Sequence, residues 1–311
     1  MILIRNLNQI NHQLPKTILT IGNFDGVHIA HQTIIQRTID EARARNLKSA
    51  ILTFEPHPVK FFNANRPDFN QHFRIYNLAT KIKIIKNLHP DFLIIIPFNQ
   101  NFSNISANTF IDEILINKLN VQGLIIGHDF NFGKNRQGDV KLLTKYHFNI
   151  QQIGPDKILN DQNQEIIISS SLARQSLQDG KIEFLNQILG RNYAIRGSVI
   201  EGQKLARTIG FRTANIKVKN DIIYPKFGVY KTRTFINKYH KFFDSITNFG
   251  IKPTLDKNHV EPIFETHLIN FDQEIYHHNI DVEFIKFIRE ERKFSSLSEL
   301  KQQITIDLQA L

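Results

Sequence analysis

The chain has 311 residues, 41% of them hydrophobic and 22% charged, with a formal net charge of +10 and no cysteine. Such a length accommodates two ordinary domains, and this composition is that of a globular protein rather than a disordered or membrane-spanning chain. The longest apolar runs fall far short of the roughly 20 residues that cross a bilayer, and the N-terminus does not resemble a signal peptide. Without cysteine there is neither a disulfide framework nor a thiolate metal site, so we expect a cytoplasmic protein with no membrane partner.

Residues 17 to about 170 alternate short apolar runs with segments of helical period, which is typical of a parallel sheet with helices on its faces. The strand candidates are 18–21, 50–54, 92–96, 124–126 and 166–168. A helix is predicted from about His31, and its end carries Arg43 and Arg45, which suit the negative end of the helix dipole. The face of this helix that should pack on the sheet consists of Ile34, Ile35, Thr38, Ile39 and Ala42.

Two further helices, 172–179 and 182–189, are each followed by a glycine, Gly180 or Gly190, which predicts where they end. After residue 190, short alternating runs broken by turns predict an antiparallel β unit. A capping box from Ser296 to Glu299 predicts one closing helix. The sequence therefore predicts two domains, 1–188 and 189–311, the first α/β with a parallel sheet and the second mainly antiparallel β with a C-terminal helix.

The positive charge predicts anionic partners, for which nucleotides and nucleic acids both qualify. The basic residues are scattered, and their local clusters stand where helix faces or ends would solvate them. These clusters are Lys81/Lys83/Lys86 and Arg289/Arg292/Lys293. Neither a stacking surface of aromatic and basic residues nor a helix-turn-helix is legible, so nucleic acid is the less favoured partner.

The segment 17–31 runs from a strand through a Gly-rich turn into a helix. At such a place an open parallel sheet exposes the carboxyl end of a strand, and a helix N-terminus directs N–H groups at an anion, so a triphosphate would fit. His28 and His31 add donors that can neutralise charge developing on the α-phosphate and the leaving pyrophosphate. A bare pair of this spacing is more often a loop residue and a helix cap, so the surrounding residues must decide.

Those surroundings, Gly-x-Phe-Asp-Gly-x-His-x-x-His at 22–31, resemble the signature of the nucleotidyltransferase superfamily, and in particular its flavin branch. Three further segments resemble that branch in the same order. They are Thr-Phe-Glu-Pro-His-Pro at 53–58, Gly-His-Asp-Phe-Asn-Phe-Gly at 127–133 with Gln-Gly-Asp at 137–139, and Ile-Ser-Ser-Ser at 168–171 with Arg174 beyond. The resemblance implies a Rossmann-like α/β nucleotidyltransferase domain that transfers an adenylyl group from ATP to FMN.

The resemblance also implies which residues form this first site, with His28 and His31 as the catalytic pair. The residues implied for ATP are Gly22, Asn23, Phe24, Asp25, Asp129, Ser170, Ser171 and Arg174. The residues implied for the flavin are Phe54, Pro56, Pro58 and Phe132. From residue types alone, the prolines would only fix a turn and the phenylalanines would be core residues, while Arg174 would fit a helix surface or a phosphate equally well.

Residues 191–311 resemble riboflavin kinase, a small antiparallel β-barrel with a C-terminal helix. The matching segments are 197–202, 207–216, 228–230, 248–254, 265–268 and 289–294. The resemblance implies phosphoryl transfer from ATP to the primary ribityl hydroxyl of riboflavin, which needs Mg²⁺, a phosphate cradle and a base. It assigns the base to Glu265, which would otherwise fit a solvent-facing carboxylate. The other residues implied are Gly202, Thr213 and Asn215 for ATP, Thr213 and Asn215 for Mg²⁺, and Arg289 for the flavin.

Together the two halves resemble the prokaryotic bifunctional riboflavin kinase/FMN adenylyltransferase (FAD synthetase) family. The sequence departs from the family pattern at Ala30, Ala206 and His277, where glycine is usual, at Arg212, where proline is usual, and at Leu172, where arginine is common. We predict that both activities survive these changes at a reduced rate. Two alternatives stay open: a chain with one decayed site, and a catalytically silent regulator that binds flavin or nucleic acid.

Overall fold

Strands and helices alternate through the first part of the chain, as the apolar pattern predicts. The computed structural model describes residues 1–201, 213–218, 222–251 and 262–309. Its internal contacts divide the chain into two units, Met1–Ser170 and Ser171–Leu311. The predicted domain boundary between residues 188 and 189 stays a prediction.

The first unit is built on a six-stranded sheet in the order β1-β4-β3-β2-β5-β6, in which every pairing is parallel. Its strands are β1 Ile2–Ile4, β2 Thr17–Ile21, β3 Lys48–Glu55, β4 Phe92–Pro97, β5 Val121–Gly127 and β6 Asn149–Ile153. Strand β2 lies at the centre and is buried along its whole length, because both faces of a parallel sheet are covered. The parallel sheet is therefore confirmed.

The helices of this unit cover the sheet. They are α1 Ile29–Ala44, α2 Pro58–Asn63, α3 Leu78–Lys86, α4 Gln100–Ser103, α5 Ala107–Thr109 with a π-helical continuation Phe110–Lys118, and α6 Val140–Leu143; short 3₁₀ turns occupy Leu7–Gln9 and Lys134–Arg136. Helix α1 begins two residues earlier than predicted. It buries Ile35, Thr38, Ile39 and Ala42, as its apolar spacing indicates, while Ile34 is half-buried.

One predicted strand of the parallel sheet was wrong. Residues 166–168 do not join that sheet; β8, Glu165–Ile167, pairs with β7, Lys157–Leu159, in an antiparallel two-stranded sheet of its own. The side chain of Ile167 is 53% exposed there. A short apolar run indicates a strand but not its partner, and this run belongs to a local hairpin.

In its described residues, the second unit consists of two helices, a closed barrel and a final helix. Its elements are α7 Ser170–Gln178, α8 Ile182–Leu189, β9 Tyr193–Ile200, β10 Thr213–Val218, β11 Gly228–Ile236, β12 Lys241–Ile251, β13 Pro262–Leu268, β14 Asn279–Arg289 and α9 Leu297–Gln309. The first residue of α7, Ser170, is the last residue of the first unit. The barrel order is β10-β13-β12-β11-β14-β9, and all neighbours are antiparallel. Antiparallel barrel and C-terminal helix are thus both confirmed.

The predicted ends of three helices have clear local causes. Gly180 and Gly190 follow α7 and α8 at φ values of +74° and +66°, the left-handed region that glycine enters without steric cost. At the start of α9 the Ser296 hydroxyl accepts a hydrogen bond from the Glu299 N–H, and the Glu299 carboxylate accepts one from the Ser295 N–H. The capping box is therefore present, with its return bond displaced by one residue.

Candidate active sites

The first candidate site lies where the strand order of the parallel sheet reverses. The chain moves from β2 to β3 on one side and places β5 on the other side of β2. In an open parallel sheet the crevice beyond the carboxyl ends of the strands at such a switch point is where ligands bind. The turn at 22–28 follows β2, the Glu-Pro-His-Pro turn follows β3, and Asp129 lies two residues beyond β5. The fold therefore brings three of the four motifs of this half to one edge.

The turn between β2 and α1 is held in an unusual backbone conformation. Phe24, Gly26 and Val27 have φ values of 47°, 76° and 41°, although phenylalanine and β-branched valine rarely enter this region. A Cβ on Gly26 would lie 2.7 Å from Cδ1 of Ile75, so the Ile75 side chain would have to shift to admit it. Such strain persists only where the surroundings over-determine it, and it is commonest at functional sites.

Hydrogen bonds from several elements fix this turn. The Gly22 N–H donates to the Leu52 carbonyl at 3.0 Å, and the Ser170 hydroxyl donates to the Asp25 carbonyl at 3.0 Å. The buried Asp25 carboxylate accepts from the Ile75 N–H at 3.0 Å. The predicted ATP residues from Gly22 to Asp25 therefore lie in one restrained loop, and Ser170 supports that loop.

His28 and His31 lie against each other at the start of α1. Their ring centroids are 3.6 Å apart and their planes differ by 18°, so the imidazoles are stacked. His28 is buried at 4% exposure, and the ring of Phe24 meets His31 edge to face at 5.3 Å. Since the N-terminus of this 16-residue helix carries a partial positive charge, the two rings and the helix end together favour an anion.

The prediction that the Lys81/Lys83/Lys86 cluster is solvated is wrong for Lys81. Lys83 and Lys86 are exposed, but Lys81 is 6% exposed and its Nζ donates to the Asn23 carbonyl at 3.0 Å. Burial lowers the pKa of Lys81 to about 8, and the nearby Asp25 carboxylate opposes that shift. A spacing of two and three residues along a short helix does not reveal which of its lysines faces inward.

The flavin residues implied after β3 lie at an aromatic surface. Pro56 is exposed and Pro58 begins α2, while His57 between them is buried and its Nδ1 accepts from the Val59 N–H. Phe54 meets Phe98 edge to face at 5.7 Å. Residues that sequence reasoning missed extend this cluster: Phe61, Phe62, Phe98 and Phe102. Phe62 is 66% exposed, so the aromatic cluster reaches the surface.

The motif after β5 divides into an exposed and a buried part. Asp129 is exposed beside the switch point, whereas Phe132 is 8% exposed and packs in the core. Phe132 forms a β-bridge with Gly138, where a Cβ would come within 2.6 Å of the phenyl ring. Asp139 caps α6 through the Leu142 N–H. Gly138 and Asp139 thus have structural reasons to be present, and flavin contact by Phe132 stays a prediction.

Ser171 and Arg174 complete the residues implied for ATP in the first half. Both lie on α7, where Ser171 is exposed and Arg174 is half-buried. Their role in ATP binding stays a prediction.

In the second unit, strand register places three of the candidate kinase residues, Asn215, Glu265 and Arg289, in one row. Asn215 pairs with Glu265, Glu265 pairs with Asn248, Asn248 pairs with Val229, and Val229 pairs with Arg289. Directly paired residues point to the same face of a sheet, so the row crosses five strands of the barrel. The buried neighbours of this row, Tyr230, Phe249 and Phe264, fill the interior, so the row belongs to the outer face.

A cavity of about 150 Å³ lies between this outer face and α9. Its lining residues are Thr213, Val229, Ile246, Asn248, Glu265, His267, Arg289, Glu291, Arg292, Phe294, Leu300, Ile304 and Asp307. Those from α9 recur every three or four residues and therefore share one helix face. Apolar walls with a few converging polar groups are typical of small-molecule sites. Gly202 lies outside the described residues.

Arg289, implied for the flavin, is held by a residue that sequence reasoning missed. Its guanidinium donates from Nη2 to Oδ2 of Asp307 at 2.7 Å and from Nε to Oδ1 at 2.9 Å. The Asp307 side chain is only 4% exposed, and Gln303 also donates to it. This bidentate pair fixes both the guanidinium and the position of α9 over the barrel.

The donor set at the end of β10 fits a cation that arrives with ATP. Within the described ranges, no group of three or more His, Cys, Asp or Glu side chains could hold a metal ion. Thr213 and Asn215 nevertheless lie two residues apart on one strand face, with Glu265 opposite Asn215. Mg²⁺ prefers hard oxygen ligands and takes several of them from water and substrate phosphates, so two protein oxygens suffice.

Comparison with known proteins matches both units. The FAD synthetase family model covers residues 10–172, and the riboflavin kinase model covers residues 189–311. A bifunctional riboflavin kinase/FMN adenylyltransferase of Buchnera aphidicola subsp. Schizaphis graminum is 38% identical over 98% of this chain and 95% of its own length. The protein of that name from Bacillus subtilis is 36% identical over 96% of this chain and 93% of its own. The chain belongs to the bifunctional riboflavin kinase/FMN adenylyltransferase family.

A solved structure supports the same architecture for this family member. The crystal structure titled macrolide-efflux protein from Streptococcus pneumoniae superposes with a TM-score of 0.85 at 25% identity. The match covers 99% of this chain and 97% of that one. Among the described residues, no helix has both the length and the apolar character to cross a membrane.

The departures from the family pattern can be placed in part. Ala30 lies in the first turn of α1 and has no positive φ, so backbone conformation does not require glycine there. His277 has a φ of 64°, a conformation that costs a non-glycine residue about 1 kcal/mol or more. Leu172 lies on α7, where its carbonyl accepts from the Ser176 hydroxyl. Ala206 and Arg212 lie outside the described residues.

We expect Asp307→Asn to loosen α9 and weaken flavin binding in the kinase unit. The substitution removes the charge that pairs with Arg289 and should destabilise that unit by about 3 kcal/mol, the lower end for a buried pair because Arg289 is partly exposed. The KM for riboflavin should rise while FAD formation from FMN is unchanged. Chemical denaturation and initial rates test this, with Thr305→Ala on the exposed face of α9 as the control. Unaltered stability and KM would show that the pair is dispensable.

Proposed function

We propose that the chain makes FAD from riboflavin in two ATP-dependent steps at two sites. First, the ribityl hydroxyl of riboflavin attacks the γ-phosphorus of ATP, its proton passes to Glu265, and ADP leaves. Second, a phosphate oxygen of FMN attacks the α-phosphorus of ATP and the bond to pyrophosphate breaks, with no covalent enzyme intermediate. The observation that carries this proposal is the match of one family model to each half of one chain.

In the adenylyl transfer, the stacked pair His28 and His31 would stabilise charge on the α-phosphate and the departing pyrophosphate. The restrained turn from Gly22 to Asp25 would hold ATP, together with Asp129, Ser170, Ser171 and Arg174. The aromatic cluster around Phe54, beside Pro56 and Pro58, would contact the isoalloxazine ring. The stacked geometry of the histidines and the α1 N-terminus supports this assignment.

In the phosphoryl transfer, Glu265 would be the base, and Arg289 would contact the flavin in the cavity beneath α9. Enzymes of this class depend on ATP and generally need a divalent cation, and we propose Mg²⁺. Thr213 and Asn215 would hold it with the ATP phosphates, and the ion would offset negative charge on those phosphates. The adjacency of Asn215 and Glu265 in the strand register supports this arrangement.

A cytoplasmic location is part of the proposal, since both steps consume ATP and the chain contains no cysteine. One assay tests the function. Purified chain is incubated with ATP and Mg²⁺ and either riboflavin or FMN, and the flavins are separated by chromatography. We expect FMN and FAD from riboflavin, and FAD from FMN. A chain that makes no FMN refutes the kinase half, and one that makes no FAD from FMN refutes the adenylyltransferase half.

A further inference from the structure

Lys81 is a buried lysine to which neither proposed reaction assigns a role. Its Nζ donates to the Asn23 carbonyl at 3.0 Å and to the Thr53 hydroxyl at 3.2 Å. The Thr53 hydroxyl in turn donates to the same carbonyl at 3.2 Å. These three groups form a closed triangle beneath the first residues of the ATP turn. Burying an ammonium group costs free energy that an apolar side chain of the same size would not cost. The position therefore needs the ammonium for the hydrogen bonds that it donates.

The charges around Lys81 are balanced. Burial lowers its pKa to about 8, the Asp25 and Glu55 carboxylates oppose the fall, and the Arg74 guanidinium adds to it. Arg74 is itself buried and donates to both oxygens of Glu55, at 2.9 Å and 2.6 Å. Two cations thus face two carboxylates in a largely buried cluster, and neutralising Lys81 would leave the carboxylates in excess.

Segment 74–81 binds two turns of the first site: the turn at 22–28 after β2, which is proposed to hold ATP, and the turn at 55–58 after β3, which is proposed to hold the flavin. At one end Arg74 pairs with Glu55, the residue before Pro56. In the middle the Ile75 N–H donates to the Asp25 carboxylate. At the other end Lys81 binds Asn23, next to Phe24 with its strained φ of 47°. Without such restraints a strained turn relaxes.

We propose that Lys81 is a positioning residue for adenylyl transfer, which fixes the ATP turn after β2 to the end of β3 through Asn23 and Thr53. With its oxygen bound by a buried ammonium, the Asn23 carbonyl is directed into the protein and away from the phosphates it would repel. The inference rests on the proposed adenylyltransferase function. Lys81 acts through the turn and need not touch ATP.

The test compares Lys81→Met with wild type in the full-length chain. Methionine has a similar length without charge or donor. We expect kcat/KM for ATP in FAD formation from FMN to fall about 10- to 100-fold, the effect of losing hydrogen bonds from a charged donor. FMN formation from riboflavin in the same preparation should stay within about twofold, as the second unit does not include Lys81. Lys86→Met, an exposed lysine on the same helix, is the matched control and should leave both reactions unchanged.

A pH profile distinguishes positioning by charge from simple packing. In wild type, kcat/KM for ATP should fall above about pH 8, where Lys81 loses its proton and its charge no longer offsets the charges of Asp25 and Glu55. Lys81→Met should lack that fall. A fall with pH that Lys81→Met shares would overturn the proposal.

A second variant keeps the inference testable if Lys81→Met does not fold, as judged by circular dichroism. Thr53→Val preserves shape and removes one corner of the triangle, and we expect it to raise the KM for ATP about three- to tenfold. Values within twofold of wild type for Thr53→Val, or for a folded Lys81→Met, overturn the inference alone. If wild type makes no FAD from FMN, the proposed function itself fails, and this outcome is separate because it needs no variant.

Discussion

Glu265→Gln should form FMN from riboflavin about 10²- to 10⁴-fold more slowly than wild type, the usual range for loss of a general base. Glutamine keeps the shape and the position opposite Asn215 and Asn248 in the strand register, but it cannot accept the proton of the ribityl hydroxyl. The same preparation should still convert FMN to FAD at the wild-type rate. Initial rates of both reactions, followed by chromatography, measure the two effects independently.

The control for this substitution is Asp244→Asn, which removes an exposed carboxylate from strand β12 of the same barrel. It should change neither rate, because Asp244 does not line the cavity. A Glu265→Gln chain with unimpaired FMN formation would show that another group accepts the proton. Loss of both reactions would instead indicate a folding defect, which the thermal unfolding curve would reveal.

Local patterns were enough to predict the elements around the first site. The apolar run before Gly22 and the helical spacing after His31 predict a strand, a turn and a helix, and the structure has them at Thr17–Ile21, 22–28 and Ile29–Ala44. Glycine at position 26 of the motif has a local cause, since its φ of 76° and the nearby Ile75 side chain both disfavour a Cβ. Short-range constraints of this kind leave a trace in sequence because the residues involved are adjacent.

Contacts between distant segments left no such trace. Lys81 and Asn23 are separated by 58 positions, and nothing in the spacing of the three helix lysines distinguishes the buried one. In the sequence, Asp307 is an ordinary carboxylate on a predicted helix. Its pairing with Arg289 is evident only once the helix is packed against the barrel. The predicted strand at 166–168 was assigned to the wrong sheet for the same reason, because the partner of a strand depends on the path of the chain and not on the strand's own residues.

The alternating residues after position 190 predict antiparallel strands, but they do not predict which side chains meet inside the barrel. One part of the barrel interior is filled by the aromatic rings of Tyr230, Phe249, Phe264 and Phe284. Another part is a chain of buried hydroxyls in which each oxygen lies 2.8 or 2.9 Å from the next: Thr234, Ser245, Thr232, Thr247 and Thr266. Buried hydroxyls are tolerated when they satisfy one another. Threonine in a strand predicts β structure but not which hydroxyls will meet.

His28→Asn should reduce FAD formation from FMN about 10²- to 10³-fold, the usual effect of removing one donor that stabilises transition-state charge. His28 is the N-cap of α1, and its side chain makes no capping bond. Asparagine is among the best N-cap residues, so the substitution should preserve the helix while it removes the imidazole. FMN formation from riboflavin should be unaffected. Steady-state rates with saturating ATP measure the loss, and His12→Asn, at an exposed histidine, is the control.

Because the His28 and His31 rings are stacked, substituting both histidines tests more sharply than either single substitution whether they act as one unit. Since His28 and His31 are in contact at a centroid distance of 3.6 Å, they should act as one anion-binding unit, and effects within such a unit are not additive. We therefore expect His28→Asn with His31→Gln to lose little more activity than the more damaging single substitution. If the two losses multiply instead, each imidazole stabilises a different phosphate, with one ring serving the α-phosphate and the other the departing pyrophosphate.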